Sequence, residues 1–263
     1  MRFGLTVPNL GEYADASLLG DLAAEAEQAG WDAFFLWDHV VYRPPIVAAT
    51  DPWIALAAIA AATSRIEIGP MVTPLARRRP WIVARQAVAI DQLSEGRFVL
   101  GLGLGLDASG GELSRFGEEL DDRRRAAMLD EGLDVLTGLL SGEPVAHAGE
   151  HYAVDAPPFL PGPVRRGGIP IWLAGRWPNK RPIARALRYD GVFLIDTDDP
   201  ASIAGVGEQA AALDRPFDIV VEGQPGADVS GWEAAGATWW LAEFDPFTAT
   251  PATVLAAIEA GPP

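Results

Sequence analysis

Short, nearly continuous apolar runs recur along the chain. They are Arg2–Val7, Ala33–Trp37, Ile66–Met71, Phe98–Gly101, Pro170–Ala174, Gly191–Ile195, Phe217–Glu222 and Ala237–Ala242. Runs such as FFLW, RFVLG and DGVFLI do not alternate between apolar and polar positions, so each predicts a strand covered on both faces. Helical spacing fills the gaps. Ser17–Ala29 carries Leu18, Leu22, Ala26 and Ala29 on one face, with Gly30 placed to end it. Pro52–Thr63 has Asp51 as its cap and Pro52 in its first turn. Further helices are predicted at Trp81–Leu93, Asp122–Leu140, Pro182–Tyr189, Ala201–Leu213 and Thr253–Ala260, with a short one near Trp232–Ala235.

Eightfold strand–helix alternation predicts an α/β fold, a single (β/α)8 TIM barrel over residues 1–263. The competing open, doubly wound sheet would need a nucleotide fingerprint. The run from Gly101 to Gly105 misses GxGxxG spacing, and Asp107–Gly111 would break a following helix. The longest interval between strands, residues 106–168, reads as an insertion region between strands 4 and 5 that contains helix 4. Its Pro- and Gly-rich part predicts a hairpin of Val145–His147 against His151–Val154, turning at Ala148–Glu150.

Composition narrows the function. With 263 residues, 49% of them hydrophobic, the chain suits one large core. The absence of cysteine excludes disulfides and thiolate chemistry and fits a reducing compartment. A net charge of −16 argues against nucleic acid or an anionic membrane as partner. The N-terminus lacks a signal-peptide pattern, and the most apolar helix is shorter than the roughly 20 residues of a membrane span. A cytoplasmic protein is expected. Basic residues still cluster at Arg77–Arg79, Arg123–Arg125, Arg165–Arg166 and Arg176–Arg181, as local anion sites or as solvated loops.

Barrel enzymes work at the strand C-termini. There the sequence places Asn9, Asp38 and His39, then Pro70, Met71, Val72 and Thr73. Gly103, Gly105 and Asp107 follow, then Gly175, Arg176 and Trp177, Asp196–Asp198, Glu222, Glu243 and Phe244. No GxSxG elbow or HExxH occurs, and no metal site is expected. Glu222 and Glu243 would suit paired-carboxylate glycoside chemistry as a lesser reading. The favoured one is a rim for a planar ring. Gly101, Gly103 and Gly105 would admit it to the backbone. Trp37, Trp177 and Phe244 would wall it, though each alone would serve equally as core. Gly175 and Arg176 would hold a phosphate. His39 would bond the ring or move a proton.

The residues GWDAFFLWDHV (30–40), TSRIEIG…RRP…AR…LSEGRFVLGLG within 51–105, ELSRFGE (112–118), GEHYAV (149–154) and PIWLAGRWPNK from residue 170 resemble the bacterial-luciferase-like (LLM class) family of flavin- and F420-dependent oxidoreductases. The resemblance implies a barrel, usually homodimeric, that binds either reduced FMN from a separate reductase or the deazaflavin F420. FMN members are monooxygenases, and F420 members move hydride. It implies a non-proline cis peptide in some members at the end of strand 3, here Met71–Val72. The second-strand histidine matches His39, and the phosphate loop matches residues 175–178. On that reading His39 is catalytic. Asn9, Pro70, Met71, Val72, Thr73, Gly103, Gly105, Gly175, Arg176 and Trp177 hold the cofactor, and Trp37, Asp38, Glu112 and Phe244 line the substrate pocket. Residues 223–236 leave little room for the long lid of some members. F420 is favoured because Arg77–Arg79 and Arg176–Arg181 would meet its acidic tail. FMN is the alternative, and a non-catalytic cofactor-binding barrel a further one.

Overall fold

The computed structural model describes residues 1–197 and 199–263; the strand-end candidate Asp198 lies outside the described residues. The strands are β1 (Arg2–Val7), β2 (Ala33–Leu36), β3 (Glu67–Pro70), β4 (Thr73–Pro74), β5 (Leu100–Gly103), β6 (Val145–Ala148), β7 (Ala153–Ala156), β8 (Ile171–Arg176), β9 (Gly191–Ile195), β10 (Asp218–Gly223) and β11 (Trp239–Glu243). Nine of them form one sheet in the order β3-β2-β1-β11-β10-β9-β8-β5-β4, and every pairing is parallel. β3 and β4 are two pieces of the predicted third strand, interrupted at the cis Met71–Val72 peptide. The ring closes on both sides of that break. Ile68 bridges to Phe98 below it, and Thr73 pairs with Leu102 above it. The predicted (β/α)8 barrel is the observed fold.

Helices α1 (Ala16–Gln28), α2 (Pro52–Ala62), α3 (Pro80–Leu93), α4 (Asp122–Leu140), α5 (Lys180–Ala186), α6 (Pro200–Ala211) and α7 (Pro251–Ala260) surround the strands. Local chemistry sets their starts. Asp51 accepts from the backbone N–H of Trp53 and Ile54, Asp121 does so for Arg123 and Arg124, and Thr250 forms a capping box with Thr253. The short helix expected near Trp232–Ala235 is not formed. Residues 230–236 make successive turns instead, because Gly231 and Gly236 bracket them at φ 87° and 104°. Helix α4 is the barrel's own fourth helix, so only the loops and hairpin around it are additional.

That hairpin pairs Val145 with Ala156 and Ala148 with Ala153, so its second strand begins later than the sequence suggests. Glu131 on α4 explains the shift. Its carboxylate accepts from the N–H of His151 and Tyr152 and holds them in the turn.

Strand parity divides the core in two. Leu5, Leu36, Leu100, Leu102, Leu173 and Trp240 face the helices. Ala33, Phe35, Met71, Val99, Trp172, Phe193, Val220, Trp239 and Leu241 fill the barrel. Trp172 and Trp239 lie 5.4 Å apart between ring centres, and both touch Phe35. This aromatic plug closes the barrel's centre. No helix among the described residues is long and apolar enough to cross a membrane.

Candidate active site

A cavity of about 400 Å³ opens at the strand C-termini, within the roughly 300–1,000 Å³ usual for small-molecule sites. Trp37 and His39 enter it after β2, Met71 and Val72 from the break in the third strand, and residues 103–106 from the end of β5. Ala174–Arg176, Phe193, Ile195, Glu222 and Glu243 complete the ring of strand ends. Tyr42, Ser109, Arg125 and Asn179 come from the loops and α4.

One side is organised by a buried charge network. Asp38 accepts from Trp53 Nε1 at 3.2 Å, Thr73 Oγ1 at 2.7 Å, Arg77 Nη2 at 2.6 Å and Arg78 Nη2 at 3.1 Å. Arg77 reaches on to Glu112 Oε1 at 3.0 Å, and Glu112 Oε2 lies 2.7 Å from His39 Nδ1. Burial pushes the Glu112 carboxyl upward, but His39, Arg77 and the Val40 N–H outweigh it and hold it below its usual range. With Nδ1 turned to the Glu112 carboxylate, the Nε2 edge of the His39 ring is left for a ligand. Arg77 and Arg78, expected to serve an acidic cofactor tail, are instead neutralised inside the fold.

The floor is acidic. Glu222 and Glu243 stand on the adjacent strands β10 and β11, at inward-facing positions. Burial first, then Glu243 and Asp196, push the Glu222 carboxyl well above its ordinary value against the pull of Arg176. Glu243 is raised by burial, Asp245 and Asp196. Arg176 is in an ion pair with Asp196.

The glycines at the mouth serve the protein first. A Cβ at Gly101 would meet Pro70 O at 2.2 Å, and one at Gly103 would meet Val72 Cγ2 at 2.7 Å. They make room for the bulged third strand, which then presents Met71 and Val72 to the cavity. Gly103 and Gly105 still line the cavity, whereas Gly101 stands behind it against Pro70.

Most candidates converge here. His39, Met71, Val72, Gly103, Gly105, Gly175, Arg176, Trp37, Asp38 and Glu112 all line the cavity. Others stand behind it. Asn9 is wholly buried and clamps the backbone, donating to His39 O and Thr50 O and accepting from His39 N. Thr73 is spent on Asp38, and Pro70 is buried in β3. Trp177 packs on the outer core, after which the chain turns through the cis Trp177–Pro178 peptide. Phe244 is a core residue, because Leu241 and Glu243 take the inward positions and leave Phe244 facing the helices.

The sequence reading missed Tyr42, Ser109 and Asn179 in the cavity wall. It saw Arg125 only as part of a basic cluster. Arg125 is buried, lines the cavity, and has an Nε without a partner. Apolar walls at Met71, Val72, Ala174 and Ile195, with Ser109, Arg125, Arg176 and Asn179 at the edge, fit a flavin-type ring bearing a phosphate.

A (β/α)8 barrel with an open mouth at its strand ends is a scaffold that can present a cofactor ring there. The sequence pattern of the luciferase-like monooxygenase family matches residues 1–231. The chain is 31% identical over 235 residues to the F420-dependent glucose-6-phosphate dehydrogenase of Nakamurella multipartita, covering 84% of this chain and 66% of that one. It is 33% identical over 232 residues to the 4-hydroxyprotoasukamycin monooxygenase of Streptomyces nodosus subsp. asukaensis, covering 86% and 60%. It thus spans less than two thirds of either relative. Its fold matches an F420-dependent secondary alcohol dehydrogenase solved with an F420–acetone adduct, at a TM-score of 0.80 and 16% identity over 98% of this chain and 97% of that one. The chain belongs to the luciferase-like family of flavin- and F420-dependent oxidoreductases. Two of the proteins it resembles are F420-dependent.

Proposed function

We propose that this protein transfers hydride between F420 and a small organic substrate. The observation that carries the reading is His39 held 2.7 Å from Glu112 in the mouth. Removing hydride from a carbon that bears a hydroxyl or amine also requires a base for the departing proton. With Nδ1 engaged, His39 offers Nε2 for that proton, and Glu112 stabilises the charge that results. When bound, F420 supplies the hydride acceptor or donor. Met71, Val72 and Ala174 would lie against the ring, and Arg125, Ser109, Asn179 and Arg176 would hold its phosphate. The F420-dependent relative and the nearly end-to-end fold match support the choice. Identity to a monooxygenase supports reduced FMN, supplied by a separate reductase, as the second reading. Homodimer formation belongs to the same proposal and is measured by sedimentation equilibrium.

Titration with F420 and, without oxygen, with reduced FMN separates the readings. F420 is expected to bind at micromolar concentration or tighter; tight binding of FMN alone would replace the first reading with the second. With cofactor saturating, His39→Ala should lower hydride transfer by about 100-fold or more. An unchanged rate removes His39 from the chemistry.

A further inference from the structure

We propose that the acidic floor of the mouth selects a substrate bearing a protonated amine. The inference rests on the oxidoreductase reading only in calling the bound molecule a substrate. Glu222 and Glu243 both line the cavity, and among the described residues neither carboxylate has a hydrogen-bond or ion-pair partner. Two unpaired carboxyls on adjacent strands repel one another in a site partly withdrawn from water. Asp196 and Asp245 add charge of the same sign.

Arg176 is the cation that acts on Glu222, and it is already engaged. Arg176 pairs with Asp196, and Arg77 with Asp38 and Glu112. A bound ammonium group would supply the missing charge. An anionic group at the same place would add to the repulsion, and a neutral hydroxyl would leave it unchanged.

A second observation is independent of the acids. Thr6 is wholly buried, and its Oγ1 has no partner. Its neighbours Leu5 and Val7 belong to the outer core, so strand alternation turns Thr6 inward. It pairs in register with Glu243 on one side and Phe35 on the other. The hydroxyl therefore lies unpaired behind the cavity surface, at the strand position beside Glu243. Trp37 and Tyr42 also line the cavity, with ring centres 6.5 Å apart. Aromatic faces attract ammonium groups and do not attract carboxylates.

Benzylammonium, benzyl alcohol and benzoate form a panel of nearly equal size that differs in charge. Their affinities for the full chain without cofactor are read by ligand-observed NMR titration at neutral pH. Benzylammonium should bind at least about tenfold more tightly than benzyl alcohol, and benzoate most weakly. Glu222→Gln and Glu243→Gln should each reduce that preference several-fold, while Glu259→Gln, exposed on α7, should leave it intact. Circular dichroism checks that each variant is folded. Equal affinity for benzylammonium and benzyl alcohol in the unaltered chain overturns the proposal, as does binding of none of the three. So does a preference that survives removal of both glutamates. The cofactor titration above is a separate measurement: failure of F420 and FMN to bind sinks the oxidoreductase reading, whereas cofactor binding without amine preference sinks only this one.

Discussion

Arg77 donates to Asp38 at 2.6 Å with side chains that are 7% and 0% exposed, and the same guanidinium reaches Glu112. Arg77 thus bridges two buried carboxylates: Asp38, which it shares with Arg78, and Glu112, which orients His39. Removing a single partner from such a group leaves uncompensated charge in the interior. Arg77→Ala should cost about 3 kcal/mol in urea unfolding. Asp38→Asn should cost less, because Arg77 retains Glu112 and the partly exposed Arg78 alone loses its counter-charge. An unchanged unfolding midpoint for Arg77→Ala would show that the pairing contributes nothing to stability.

Close packing around the broken third strand gives a second prediction. A methyl group at Gly101 would overlap the backbone oxygen of Pro70, whereas one at Gly103 would overlap only the side chain of Val72. Backbone yields less readily than a side chain. Gly101→Ala should therefore cost about 3 kcal/mol, and Gly103→Ala about 1–2 kcal/mol. Because Val72 lines the cavity, Gly103→Ala should also weaken cofactor binding. Equal stability losses, with unaltered cofactor affinity, would contradict this account of the mouth.

The barrel was legible because eight short apolar runs alternate with helical spacing, and the nucleotide fingerprint of the competing open sheet is missing. Which side of each strand faces inward was not. A run such as WWLAEF is apolar at both parities, so the sequence offered Phe244 where the barrel uses Glu243. Charge clusters misled for a related reason. Arg77–Arg79 read as an exposed anion site, yet Asp38 and Glu112, 39 and 35 residues away from Arg77, come together only in the fold and neutralise the first two arginines. Asn9 stood at a strand end as foreseen, but its amide is consumed by backbone that only the folded loops bring near.

A third prediction concerns acid. Burial pushes the Glu27 carboxyl up, but the N–H groups of Ile66, Arg65 and Ser64 and the Ser64 hydroxyl overcome this and hold it at about 2, against 4.5 ordinarily. A carboxyl held low binds its proton less readily in the folded chain than in the unfolded one. Its contribution is complete above about pH 4.5 and is lost as the pH falls toward 2. Glu27→Gln should cost about 2 kcal/mol at pH 7. The gap between variant and parent should narrow by pH 3, as followed in guanidinium melts. A gap that stays constant from pH 7 to pH 3 would mean that Glu27 does not fasten this loop through its charge.

Glu222 carries the opposite sign. Burial, and after it the charges of Glu243 and Asp196, keep its proton on in the folded chain at pH values where the unfolded chain releases it. The folded state then binds more protons than the unfolded one, so stability falls as the pH rises above about 4.5 toward the raised value. Glu222→Gln removes the titrating group and should make the protein more stable by on the order of 1–2 kcal/mol at pH 8. The gain should shrink toward zero near pH 4, where both states hold the proton. The same substitution takes one carboxyl from the amine-binding floor, so a more stable variant should also be a less selective one. A destabilised Glu222→Gln at pH 8 would mean that the carboxylate has a partner in the folded protein, and the unpaired acidic floor would have to be abandoned.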